Sequence, residues 1–128
     1  MKYMFYGCSN LLTLNLSSSF NTSSVKDMGN MFNGCSGLST LDLSNFNTSN
    51  VTTIGGMFKN CSGLSSLNLS NFDTSKVADT GMVEMFYSCS NLSTITITYA
   101  NAYIQTALIE EFGGTWDYID SAYVKTSN

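Results

Sequence analysis

The chain has 128 residues, enough for one domain, and combines a hydrophobic fraction of 43% with only 11% charged residues, so Ser, Thr and Asn, more than a third of the chain, must supply most of the polar surface. The formal net charge is −4 and the five lysines (Lys2, Lys26, Lys59, Lys76, Lys125) are scattered, which leaves no basic stripe to follow a phosphate backbone and excludes nucleic acid as an expected partner. No apolar run is long enough for a membrane span, and the N-terminus has neither a long apolar stretch nor a small-residue cleavage site, which points to an intracellular protein or a fragment of a longer one.

In chain order, one motif recurs four times: Met4-Phe5-Tyr6-Gly7-Cys8-Ser9, Met31-Phe32-Asn33-Gly34-Cys35-Ser36, Met57-Phe58-Lys59-Asn60-Cys61-Ser62 and Met85-Phe86-Tyr87-Ser88-Cys89-Ser90. A fixed period of this length means one supersecondary unit stacked on itself. Aligned on the cysteines, the units continue as Leu11-x-x-Leu14-x-Leu16, Leu38-x-x-Leu41-x-Leu43, Leu64-x-x-Leu67-x-Leu69 and Leu92-x-x-Ile95-x-Ile97. That is the core pattern of a leucine-rich repeat, and its final alternation predicts one short parallel strand per unit with one buried face.

After each strand comes an aromatic (Phe20, Phe46, Phe72) and then a Thr/Ser-rich turn, Asn47-Thr48-Ser49-Asn50 in the second unit, expected to supply N-cap oxygens. Val51, Ile54, Met57, Phe58 and Cys61 follow at helical offsets, as do Val25, Met28, Met31, Phe32 and Cys35. They predict a short or partly 3₁₀ helical segment in each unit, because Gly29 and Gly55-Gly56 lower helix propensity. The expected architecture is α/β: a leucine-rich repeat solenoid over 1–99 with repeats starting near 4, 31, 57 and 85, then a capping segment over 100–128. In that cap a helix is expected at about 102–112, ending at Gly113-Gly114, and a strand at about 115–119, with a frayed tail after Val124. Met1 to Tyr6 enters the first unit with no polar cap, so Met4 and Phe5 should be partly exposed and self-association through that end is expected.

With Met-Phe-x-x-Cys-Ser-x-Leu, Leu41-Asp42-Leu43-Ser44-Asn45-Phe46 and Asn47-Thr48-Ser49-Asn50-Val51 in place, residues 4 to 98 resemble the BspA-like leucine-rich repeat proteins, the group also described as DUF285 repeats. That resemblance implies a curved solenoid of the kind found in surface or secreted proteins of bacteria and some protozoa. There the usual roles are adhesion and binding to host proteins.

Candidate sites divide into core and surface. Cys8, Cys35, Cys61 and Cys89 stand one rung apart, about 4.8 Å per rung, and so cannot converge on one zinc with thiolate distances of about 2.3 Å. A reduced, structural column is expected, with no metal and no cofactor. The Met and Phe columns read as packing between units. Outward strand positions form three columns, Thr13/Thr40/Ser66/Thr94, Asn15/Asp42/Asn68/Thr96 and Ser17/Ser44/Ser70/Thr98. The first two are the candidate partner-binding residues, on the one continuous surface the repeats build together. Stacked Ser, Thr and Asn also serve simply to solvate a sheet, and these columns lack the aromatic or Arg anchors of most interfaces. Exposed aromatics are expected at Tyr3, Tyr6, Tyr87, Tyr118 and Tyr123.

The chain has no His, so Ser-His and Cys-His nucleophile systems are unavailable, and Glu110-Glu111 and Asp117/Asp120 read as solvated charge. No catalytic residue is expected. The sequence therefore points to a non-catalytic protein-binding or adhesion module. An intracellular binder or inhibitor on the same scaffold is the alternative, and a third reading is an ice-binding face on the Thr94, Thr96 and Thr98 alternation, which Asn15, Asp42 and Asn68 interrupt in the other repeats.

Overall fold

The computed structural model describes residues 1–98, 102–112, 115–119 and 122–127. Its first surprise is local. The residue before each repeated Met (Tyr3, Asn30, Gly56, Glu84) has φ between 55° and 62°, and the residue before each Cys (Gly7, Gly34, Asn60, Ser88) has φ between 59° and 81°. A left-handed residue cannot continue a right-handed helix, so the segment folds as successive turns, where a short or partly 3₁₀ helical segment was expected. In the second unit the Met31, Asn33, Cys35 and Leu38 N–H groups donate to carbonyls three residues back, those of Met28, Asn30, Phe32 and Cys35, at 3.0–3.2 Å. These turns start at Met28, Asn30, Phe32 and Cys35 and leave Met28, Met31, Phe32, Cys35 and Leu38 buried, at spacings that also suit a helical face.

The alternate N–H groups point the other way, into the next unit. Asn30, Phe32 and Gly34 donate to the carbonyls of Gly55, Met57 and Lys59 at 2.9, 2.9 and 2.8 Å. Tyr3, Phe5 and Gly7 reach Gly29, Met31 and Asn33 in the same way, and Gly56, Phe58 and Asn60 reach Val83, Met85 and Tyr87. One set of donors closes each unit and the other joins it to its neighbour, so the backbone is satisfied without helix or sheet.

Side chains follow the same register. Phe5, Phe32, Phe58 and Phe86 form a column with ring centroids 5.3, 6.0 and 6.2 Å apart and planes within 7° of parallel. A second column, Phe20, Phe46 and Phe72, runs beside it at 5.6 and 6.4 Å. Met31, Met57, Met85, Leu38, Leu64 and Leu92 are buried, whereas in the first unit Met4 is 46% exposed and Phe5, Leu11, Leu14 and Leu16 are half-buried.

Regular strands form in the third and fourth units alone: β1 (Ser66–Asn68) pairs in parallel with β2 (Thr94–Thr96), Leu67 opposite Ile95. Residues 13–16 and 40–43 were expected to be strands as well. Leu41 and Leu43 are indeed buried around exposed Asp42, but no strand pairing forms there. At the ends of these segments side-chain amides bridge the units: Asn71 Nδ2 donates to the carbonyls of Leu43, Ser44 and Phe46, and Asn45 Nδ2 to that of Leu16. The two extra residues before Met85 are absorbed in a 3₁₀ turn, Asp79–Met82.

Helix α1 (Ala102–Phe112) covers the fourth unit with buried Ile104 and Leu108. β3 (Thr115–Ile119) and β4 (Ala122–Ser127) form a hairpin whose β4 pairs antiparallel with β2, giving a four-stranded mixed sheet in the order β1-β2-β4-β3. The tail expected to fray after Val124 is thus strand, and Tyr123, expected at the surface, is fully buried with Trp116. Gly113-Gly114, Asp120, the boundary at residues 99 and 100 and the side chains of Glu110 and Tyr118 lie outside the described residues. Among the described residues no helix is long and apolar enough to cross a membrane.

Candidate functional site

Thr13, Asn15, Thr40, Asp42, Ser66 and Asn68 are exposed, and Thr94 and Thr96 are half-buried. β1 and β2 bring the last four into register, Ser66 opposite Thr94 and Asn68 opposite Thr96. Two of the expected contact residues have internal duties. Asp42 Oδ1 accepts the Ser44 N–H at 2.9 Å and Asn68 Oδ1 accepts the Ser70 N–H at 3.0 Å, the Asx turn that ends each extended segment. The Ser44 N–H and hydroxyl hold the Asp42 carboxyl below the usual range. Between these turns Asp42, Ser44, Asn68, Ser70 and Asn71 line a depression of about 110 Å³, too small for more than one side chain of a partner.

The hairpin adds what the columns lacked. Directly opposed residues of antiparallel strands project to one face, so Val124 opposite Thr94 continues the Ser66 and Thr94 row. Asp117 stands opposite Val124 in β3, and Ile119, 47% exposed, closes the outer edge of this sheet. A polar strip thereby acquires an apolar border. Sequence reasoning missed it because nothing local reveals which strand the hairpin joins.

Most of the remaining Asn and Thr content is scaffold. Thr22 Oγ1 donates to the Asn47 carbonyl at 2.9 Å and accepts the Asn47 N–H at 2.8 Å, and Thr48 does the same to Asp73 at 3.1 and 2.7 Å. These threonines were expected to cap helices. They tie units together instead, while Asn47 and Asp73 accept the N–H groups of Ser49 and Ser75. Thr98, in the third outward column, donates to the Ser70 carbonyl.

The cysteines are all free, and among the described residues no group of three or more His, Cys, Asp or Glu side chains could hold a metal ion. Three thiols have a defined role: Cys35, Cys61 and Cys89 Sγ donate to the carbonyls of Phe5, Phe32 and Phe58 in the preceding unit at 3.1, 3.1 and 2.9 Å. Burial pushes Cys35 up to about 11 and Cys89 to about 12, and raises Cys61 as well. Cys8 is exposed.

An acid whose pKa is higher in the folded chain contributes stability that is intact below the unfolded value and lost above it. Folding free energy should therefore fall by about 1.4 kcal/mol per pH unit per buried thiol above about pH 8.5. Urea unfolding at pH 8 to 10.5 checks this, and Cys61→Ala should flatten the slope by one thiol's share. A native thiol titration at pH 8 should label Cys8 alone.

Outside the strand face, Tyr3 and Tyr6 pack edge to face at 5.4 Å, and Lys59 pairs with Glu84 at 2.8 Å while lying 4.8 Å from the Tyr87 ring centroid. Tyr3, Tyr6 and Tyr87 are exposed, as expected from sequence.

Residues 1–107 match the family model described as Mycoplasma protein of unknown function, DUF285, and the chain belongs to that family. No curated protein and no solved structure matches it.

Proposed function

We propose that the chain is a leucine-rich repeat solenoid of the BspA-like type, serving without catalysis as a protein-binding or adhesion module at a cell surface or outside the cell. The observation that carries this reading is the continuity of the outward face: Ser66 and Asn68, Thr94 and Thr96, then Val124 and Ile119. Small polar side chains lose little entropy on binding, and an exposed isoleucine at the border supplies the apolar contact that such a strip needs. Inter-unit bonding of Asn45, Asn71, Thr22 and Thr48 supports a rigid platform, which lowers the ordering cost of association.

The test uses positions with no scaffold duty. Immobilised wild-type chain is compared with a Thr40→Lys, Ser66→Lys, Ile119→Lys variant for recovery of partner proteins from host-cell extracellular matrix. Loss of recovery with an unchanged melting temperature is expected, and equal recovery by both proteins overturns the reading. Self-association is proposed through the half-open first unit, where Met4 and Leu12 are exposed. Light scattering should show mass rising with concentration in wild type and less so in Met4→Lys, whereas a strict monomer at high concentration contradicts it.

A further inference from the structure

The row of N–H donors that joins each unit to the next does not end at the fourth unit. Its members there are Glu84, Phe86 and Ser88, the counterparts of Gly56, Phe58 and Asn60. Ser88 N–H finds a substitute acceptor, Glu111 Oε1 of α1, at 2.9 Å. Among the described residues the N–H groups of Glu84 and Phe86 have no acceptor. Both residues line a groove of about 510 Å³ between the 82–87 segment and α1, whose walls include Met82, Tyr87, Tyr103 and Ala107. Helix α1 thus completes one third of the row, and among the described residues nothing completes the rest.

We infer that this groove binds an extended peptide carrying a Lys or Arg residue, with two of its carbonyl oxygens accepting from Glu84 and Phe86 N–H. Each inner row is matched by carbonyls two residues apart, Gly55, Met57 and Lys59 or Val83, Met85 and Tyr87. Carbonyls i and i+2 of an extended chain project to the same side in the same way. Charge selects the side chain. The rim carries Asp79, Glu84 and Glu111 against the single ammonium of Lys59, so a basic residue is drawn in and an acidic one repelled. Tyr87 and Tyr103 stand exposed at the rim. A free anion would meet the same two N–H groups but also the three carboxylates.

This site is separate from the outward strand face, and its test is independent of it. The blocked pentapeptide acetyl-Thr-Val-Lys-Val-Thr-amide is titrated into ¹⁵N-labelled protein, beside the same peptide with Glu in place of Lys. The Lys peptide should move the Glu84 and Phe86 amide resonances downfield in a saturable way and bind about tenfold more tightly than the Glu peptide. Thr106→Lys, a change at an exposed position on the groove wall, should weaken the Lys peptide about tenfold with the melting temperature unchanged. The Thr40→Lys, Ser66→Lys, Ile119→Lys variant should titrate like wild type, so failure of the strand-face reading leaves this one standing. Unmoved Glu84 and Phe86 amides, or equal affinity for the two peptides, overturn it.

Discussion

Phe58→Ala is expected to destabilise the chain by about 3–5 kcal/mol in urea unfolding. Phe58 is fully buried at the middle of a four-ring column, with Phe32 and Phe86 stacked on its two faces. Truncation removes both contacts and opens a cavity that turns pinned by hydrogen bonds on each side cannot collapse to fill. Phe5→Ala makes the same chemical change at the half-buried end of the column, where one neighbour is present, and should cost less than half as much. Equal costs at the two positions would mean that stacking between units does not carry the stability.

The second large effect is expected for Thr48→Val, about 2–3 kcal/mol, although shape and volume are nearly unchanged. The Thr48 hydroxyl is buried and both donates to and accepts from the backbone of Asp73. Valine leaves that N–H and carbonyl without partners at a site partly closed to water, and the loss of two bonds is felt in full. Thr48→Ser keeps the hydroxyl and should recover more than half of the stability. If Thr48→Val melts like wild type, the bridge between the second and third units contributes nothing.

Both expectations concern residues whose importance was unequally legible. The burial of Phe58 follows from the aligned columns, since a position that is apolar in every unit must face its equivalents. Thr48 was visible as a recurring Thr, but a helix-capping role fitted the same residue, and only the location of Asp73 in the next unit decides between them. The same ambiguity governed 51–61. Offsets of three, six, seven and ten suit a helix and a chain of turns alike, and the difference lay in the residues between the apolar ones. Gly7, Gly34 and Asn60 before the cysteines hinted at left-handed backbone, whereas Tyr3 and Glu84 in that conformation could not have been guessed from residue type. That 66–68 pairs with 94–96, and 94–96 in turn with the hairpin, is a long-range fact that no local pattern carries.

For the candidate sites, sequence located the outward columns but not which members were already engaged. Asp42 and Asn68 look like the best contact residues by chemistry, yet both hold Asx turns, which is why substitutions there would confuse binding with folding. The hairpin border at Ile119 and the donors of Glu84 and Phe86 were hidden because each arises where the repeat pattern stops. The Met, Phe and Cys of the distinctive Met-Phe-x-x-Cys-Ser motif are buried in the second to fourth units, where the three thiols donate to phenylalanine carbonyls of the neighbouring unit.

Alternate N–H groups of this motif bond to the next unit and not along a helix. Scalar couplings across hydrogen bonds test it directly in ¹³C,¹⁵N-labelled protein. Correlations from the amide nitrogens of Phe5, Phe32 and Phe58 to the carbonyl carbons of Met31, Met57 and Met85 are the result expected. Correlations from Phe58 and Cys61 to carbonyls four residues earlier, as in an α-helix, would contradict it.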